Sequence, residues 1–187
     1  IDSVRNQNFD DWELIIIDDG STDNTNEVLE PILYEETRIK YFFQKNQERS
    51  IARNNGIIKS KGEYICFLDS DDEYLNNHLS ILHSEIERKN KPKALFFTSI
   101  NVYNNDNLIE FPVKRLSKND NIFNYIFSES IYPCRVSIHN SVLNDFHFPY
   151  YTNMGEDTIL WLEIASKFPI YQINEKTVNY YQHDGNS

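Results

Sequence analysis

Three acidic pairs or clusters stand where chemistry could use them: Asp18-Asp19 in IIIDDGSTDNT, Asp69, Asp71 and Asp72 in EYICFLDSDDEYL, and Glu156-Asp157 in NMGEDTILWLEIA. Carboxylates this close repel one another and raise each other's pKa unless a cation sits between them, so DSDD is a candidate seat for a divalent hard ion. An EF-hand is excluded, because counting from Asp69 the sixth residue is Tyr74 where Gly is required, and the twelfth is Ser80 where Glu is required. Each group also has a plain structural reading. Asp and Ser ahead of a helix cap its N–H groups, Gly20 permits a turn, Asn153 could cap a helix, and two acids in a first turn favour the macrodipole.

The elements around these groups decide between the readings. Glu13 to Ile17 reads as an apolar strand, followed by cap candidates Ser21 to Asp23 and a helix from about Asn24 to Tyr34. Arg38 to Phe43 reads as a strand, Arg49 to Lys59 as a helix ending near Gly62, and Glu63 to Leu68 as a strand. A helix over Asn76 to Lys89 and a strand over Lys93 to Ile100 follow. This alternation predicts an α/β fold with a mostly parallel sheet flanked by helices, whose ligands gather at the carboxyl ends of strands. Asp18-Asp19 and Asp69-Asp71-Asp72 both sit at such ends, with Arg53 on the helix between them, and such a crevice suits a nucleoside diphosphate and its metal. Beyond residue 100 the pattern becomes α+β: a hairpin over Tyr103 to Glu110, a helix over Asp120 to Ser128, a strand over Arg135 to His139, a helix over Asp157 to Lys167, and strands over Ile170 to Ile173 and Thr177 to Gln182. The chain is expected to be one domain in two halves, 1–100 and 101–187.

Composition narrows the partners. Eighteen basic and 29 acidic residues give a net charge of −11, which disfavours nucleic acid and means that an anionic ligand needs a metal ion or a placed Arg. Cys66 and Cys134 are far apart with no CxxC spacing and read as ordinary thiols of a reducing cytosol. The longest apolar runs, such as Leu14 to Ile17 and Ala94 to Phe97, fall far short of the ~20 residues a membrane helix needs. The expected location is cytoplasmic, with any attachment to the inner face of the membrane carried by regions outside this chain.

The segments SVRNQNFDDWELIIIDDGSTDNT, ARNNGIIKSKGEYICFLDSDD and MGEDTILWLEIA, in this order and at these separations, resemble the family 2 glycosyltransferases of the GT-A fold over most of residues 1–165. The resemblance implies an inverting, metal-dependent transfer from a nucleotide sugar, with a UDP-sugar as donor, to a glycan or lipid-linked acceptor of a bacterial surface polysaccharide. It assigns Asp19, with Asp18 beside it, to the base of the nucleotide, and Arg53 to the base and phosphates. Asp69 falls near the ribose and metal, and Asp71 on Mn²⁺ or Mg²⁺. In the Glu156-Asp157 pair one carboxylate is the general base, and the family pattern favours Asp157. His183, in YYQHDGNS, lies where some relatives place a residue that reaches the metal or diphosphate, against the plainer reading of a surface His. Met154 and Tyr150-Tyr151 are candidates to line the acceptor pocket, against the commoner reading of aromatic core. Relatives open with a strand ending in a base-stacking loop, whereas this chain starts at Ile1 in what reads as mid-helix; the first strand is expected to be missing.

Two other readings stay open at this point. A strand followed by DxD also opens the haloacid-dehalogenase phosphatases, but Glu73 stands where that pattern wants Thr or Val. A nucleotide-sugar-binding module that kept the fold and lost turnover would retain these same acids.

Overall fold

The computed structural model describes residues 1–104, 107–110, 112–152 and 154–182. Its elements are α1 (Asp2–Arg5), β1 (Leu14–Asp18), α2 (Thr25–Glu35), β2 (Ile39–Phe43), α3 (Glu48–Lys59), β3 (Tyr64–Cys66), β4 (Glu73–Tyr74), α4 (His78–Arg88), β5 (Leu95–Asn104), β6 (Asn107–Ile109), α5 (Ile122–Ser128), β7 (Val136–His139), α6 (Glu156–Ala165) and β8 (Ile170–Gln182). Short 3-10 turns at Pro133–Arg135 and Asn140–Val142 flank β7.

The class is mixed α/β, as the sequence indicates, but the strands do not form one parallel sheet. β1 and β2 pair in parallel as a separate ribbon, while the other six build one sheet in the order β3-β7-β5-β8-β4, with β6 folded back on β5. Within that sheet only β5 and β8 run parallel; β7 is antiparallel to both β3 and β5. The two Asp-bearing strands, β1 and β3, therefore lie in different sheets. A cleft of about 1390 Å³ runs between them, lined by Ile15, Ile16 and Ile17 on one side and by Tyr64, Ile65 and Phe67 on the other. This explains why apolar Leu14 to Ile17, which reads as a buried strand, is only half-buried.

The core belongs to the six-stranded sheet. Phe97, Val136 and Ile138 pack with Leu160, Trp161 and Ile164 of α6 on one face, and Phe96 and Ile173 pack with Leu82 and Ile86 of α4. β8 runs as one strand through Asn174 to Lys176, where a break between two strands was expected. β8 itself carries the irregularity: from Phe97 to Ser99 its register advances from Gln172 to Lys176, and from Ser99 to Ile100 it advances from Lys176 to Val178, so the extra residues bulge from β8. Among the described residues no helix is long and apolar enough to cross a membrane.

Candidate active site

The carboxyl end of β1 turns at Gly20, whose φ of +86° lies in the left-handed region; a Cβ there would come within 2.8 Å of the Asn46 backbone nitrogen. This turn sends the neighbours Asp18 and Asp19 to different places. Asp19 faces the cleft, where Oδ1 accepts hydrogen bonds from Gln44 Nε2 at 2.7 Å and from the Gln47 N–H at 2.9 Å. Asn55 of α3 in turn donates to Gln44 Oε1 at 2.6 Å, so a chain of amides holds Asp19 to α3. Asp18 instead lines a small recess with Ser21, Tyr41 and Phe43. Burial works against its charge, but hydrogen bonds from Tyr41 Oη (2.5 Å) and the Ser21 N–H (2.7 Å) outweigh it and hold the carboxyl below its usual range. The same contact pushes the Tyr41 phenol up to about 12. Asp18 is thus not brought into the crevice that holds Asp19.

α3 supplies the cations. Arg53 sends Nη2 to both oxygens of Asp69, at 3.0 and 2.9 Å, and Nη1 to Glu156 Oε1 at 3.1 Å. Arg49, one turn earlier on the same helix face, places Nε 2.7 Å from Glu156 Oε1 and Nη2 3.2 Å from Oε2. Burial opposes the charge of Arg53, and Asp69 and Glu156 outweigh it and hold its pKa above the ordinary value. The guanidinium lies 5.3 Å from the Phe148 ring, and Asn54 fixes that segment by exchanging two hydrogen bonds with the Phe148 backbone. Arg53 Nε is buried without a hydrogen-bond partner among the described residues.

Of the three acids in DSDD, Asp69 and exposed Asp71 stay at the crevice. Asp72 is buried; its Oδ1 accepts from the Tyr181 N–H at 3.2 Å, and burial pushes its carboxyl up to about 6. The third carboxylate turns into the cleft wall towards β8, and the charges of Asp71 and Asp69 add to the upward push on it.

At the start of α6, Gly155 takes φ +69° and the next two residues divide their tasks. Glu156 is buried and ion-paired to both arginines, whereas Asp157 accepts from the Thr158 N–H at 2.6 Å and faces the same cleft. Burial pushes the Asp157 carboxyl above its usual range, helped by the charge of Glu156 and opposed by the Thr158 hydrogen bond and Arg53. Tyr150, Tyr151 and Met154 are not core: all three are exposed just ahead of this helix. His183 and Asn153 lie outside the described residues. Arg49 escapes the sequence reading, although its four-residue spacing from Arg53 was a readable signal.

Asp69 and Asp71 offer the hard oxygen donors that suit Mg²⁺ or Mn²⁺, an ion commonly held by one or two carboxylates together with substrate phosphates. Among the described residues no three His, Cys, Asp or Glu side chains gather into a complete metal cage. Two arginines facing Asp19, Asp69, Asp71, Glu156 and Asp157 leave the crevice net negative, so the donor set fits a cation that arrives with its anion.

The glycosyl transferase family 2 model matches residues 1–145. An uncharacterized glycosyltransferase of Rickettsia bellii is 34% identical over 174 residues, covering 89% of this chain and 24% of its own length. The Escherichia coli UDP-Glc:alpha-D-GlcNAc-diphosphoundecaprenol beta-1,3-glucosyltransferase WfgD is 30% identical over 177 residues, covering 93% of this chain and 66% of its own. The chain thus spans about a quarter of the first relative and about two-thirds of the second. Among solved structures, S. aureus TarS 1-349 in complex with UDP shares the fold with a TM-score of 0.80 at 18% identity, over 97% of this chain and 55% of that one. These matches leave no place for the phosphatase reading, and they run through the same segments that supply Asp19, Arg53 and Asp69: the chain belongs to glycosyl transferase family 2.

Proposed function

We propose that this chain transfers a sugar from a UDP-sugar to a glycan or lipid-linked acceptor of a bacterial surface polysaccharide, with inversion at the anomeric carbon. One observation carries the reading: Asp19, the Arg53–Asp69 pair and Asp157, from four separate segments, line a single cleft. Asp19, fixed by Gln44 and Gln47, takes the base of the nucleotide. Arg53 and Arg49, held in place by buried Glu156, face the diphosphate. The E. coli relative is named for UDP-Glc as donor and a diphosphoundecaprenol acceptor, and the TarS structure holds UDP, which supports the choice of nucleotide.

In the transfer, an acceptor oxygen bonds to the anomeric carbon as the bond from that carbon to the diphosphate oxygen breaks. Asp157 takes the proton of the attacking hydroxyl; its raised pKa makes it a better acceptor than an ordinary carboxylate. Glu156 is the anchor of the arginine pair and not the base. The electron pair leaves with the diphosphate, whose growing charge faces the arginines. Mg²⁺ or Mn²⁺ on Asp71 and Asp69 would neutralise that charge further.

Isothermal calorimetry with UDP, GDP and ADP, each with and without Mn²⁺, tests the donor site. UDP is expected to bind more tightly with Mn²⁺ than without, and Asp71→Asn to remove that gain. Asp157→Asn is expected to keep UDP affinity within about threefold while transfer to acceptor falls roughly 10²- to 10⁴-fold. Metal-independent binding sinks the Asp71 assignment. Retained binding with no transfer to any acceptor would instead identify a non-catalytic binding module.

A further inference from the structure

The acidic chain carries several basic stretches, and one of them adjoins exposed aromatic side chains. Residues 112–128 carry Lys114, Arg115 and Lys118 against a single acid, Asp120, in a molecule of net charge −11. The structure fixes this stretch as a built surface. The Lys114 carbonyl accepts hydrogen bonds from Tyr125 Oη at 2.8 Å and from Gln172 Nε2 at 2.9 Å, and the Leu116 N–H donates to Gln172 Oε1 at 2.6 Å. The basic loop is therefore tied to both α5 and the start of β8.

α5 itself is two-faced. Tyr125 and Ile126 are buried in the cluster that includes Leu160 and Trp161 of α6, while Phe123 and Phe127, four residues apart and so on one face, are 40% and 72% exposed. Val113, beside Lys114 in the chain, is 38% exposed. Lys114 lies 3.3 Å from Glu129, and Asp120 folds back on the Ser117 N–H, so the local acids are answered locally. Arg115 and Lys118 are exposed and have no acidic partner among the described residues.

We propose that the Phe123–Phe127 face of α5 and the Lys114–Lys118 loop dock together on an anionic lipid bilayer. Two phenyl rings that find no protein to cover them gain by entering the boundary of an apolar phase, and basic side chains beside them gain from anionic headgroups. Charge complementarity favours this occupant: Arg115 and Lys118 are exposed beside the two rings, whereas in the basic run Arg88 to Lys93 the cations Arg88 and Lys91 are answered by Glu85, Glu87 and Glu63. Because α5 packs on α6, docking would also fix the helix that carries Glu156 and Asp157 relative to the lipid. The docking does not depend on the transfer reaction proposed above.

Co-sedimentation with vesicles tests it. The chain is expected to bind vesicles containing phosphatidylglycerol and to leave pure phosphatidylcholine vesicles in solution, with binding weakened by added salt. The paired variants Phe123→Ser/Phe127→Ser and Arg115→Glu/Lys118→Glu are each expected to lower partitioning about tenfold or more. Unchanged melting temperature and unchanged UDP calorimetry show that the variants are folded and keep the loss separate from any failure of the donor site. Should the phenylalanine variant not fold, the charge variant, at exposed positions, decides alone. The proposal is overturned if the parent binds neither vesicle, if the folded variants bind as the parent does, or if size-exclusion chromatography shows a parent dimer that the phenylalanine variant abolishes.

Discussion

Asp72 and His78 lie six residues apart and titrate in opposite senses. Burial holds the Asp72 carboxyl at about 6, above its ordinary 3.8, so between pH 6 and 4 the folded chain binds a proton that the unfolded chain gives up. Falling pH therefore favours folding through that window. His78, fully buried between a 2.7 Å bond to Thr177 Oγ1 and the stacked Tyr74 ring, is held at about 3, below 6.5. Here the unfolded chain binds the extra proton, and falling pH costs stability from about 6.5 down to 3. Each slope approaches about 1.4 kcal/mol per pH unit, so the two cancel between roughly pH 4 and 6. Asp72→Asn is expected to raise stability at pH 7 and to expose the His78 slope below pH 6, read by urea unfolding of the metal-free chain at stepped pH; a variant as flat as the parent contradicts the assignment. At the same scale, Glu48 stands at φ +72° on the rim of the cleft, a conformation that costs a non-glycine residue about 1–2 kcal/mol. Glu48→Gly is expected to recover a net of roughly 0.5–1 kcal/mol in the same measurement, after the greater chain entropy of glycine is counted. The residues legible in the sequence were those whose motif also fixes their direction, such as Asp19, Arg53 and Asp69. Asp18 and Asp72 were not, because a single turn at Gly20 and a single pairing of Asp72 with the Tyr181 N–H decide which way adjacent carboxylates point.

Periodicity locates the helices within a residue or two, because an amphipathic face is written in local spacing. What it leaves unwritten is pairing between distant strands. β4 has two residues and exists because Glu73 and Tyr74 meet Asn179 and Val178, a contact across more than a hundred residues with no local signal. The direction of β7 is likewise set by its neighbours β3 and β5 and not by its own four residues. α3 shows how an element serves both stability and site: Arg49 and Arg53 share one face, Asn55 reaches Gln44 from another, and Gly56 approaches β1. A Cβ at Gly56 would meet Ile17 Cγ1 at 3.5 Å, an ordinary packing distance, at a helical position where glycine costs about 1 kcal/mol relative to alanine. Gly56→Ala is expected to raise the melting temperature by about 2–4 °C, as that energy implies for a chain of this size. A fall would mean that the α3–β1 approach is tighter than this geometry. Gly20→Ala is the opposite case, with the strained φ and the 2.8 Å approach to backbone, and is expected to lose roughly 1–3 kcal/mol and to weaken UDP binding by moving Asp19.

At the scale of the molecule, the two sheets differ in how firmly they are built. β5 and β8 run side by side through the centre, and Leu95, Phe96 and Phe97 are fully buried. β1 has a single partner strand among the described residues, and its apolar side chains are half-open to the cleft. Joining the ribbon to the body are α3, a Glu13 carboxylate that accepts from the Lys61 and Gly62 N–H groups and pairs with Lys40, and the polar groups of the crevice. Local opening therefore has a low-energy route at β1–β2 and a high-energy one at β5–β8. Amide hydrogen exchange followed by mass spectrometry is expected to show β1–β2 exchanging well before β5–β8. A ligand that binds only the closed arrangement stabilises it by mass action, so UDP with Mn²⁺ is expected to slow exchange at the end of β1 and in the first turns of α3, with little change in β5. Arg53→Gln, which removes the Asp69 and Glu156 ion pairs, should accelerate β1–β2 exchange without ligand and abolish the slowing with it. Uniform exchange across both sheets would mean that the molecule opens as one unit, and the crevice would then have no hinge for a nucleotide to close.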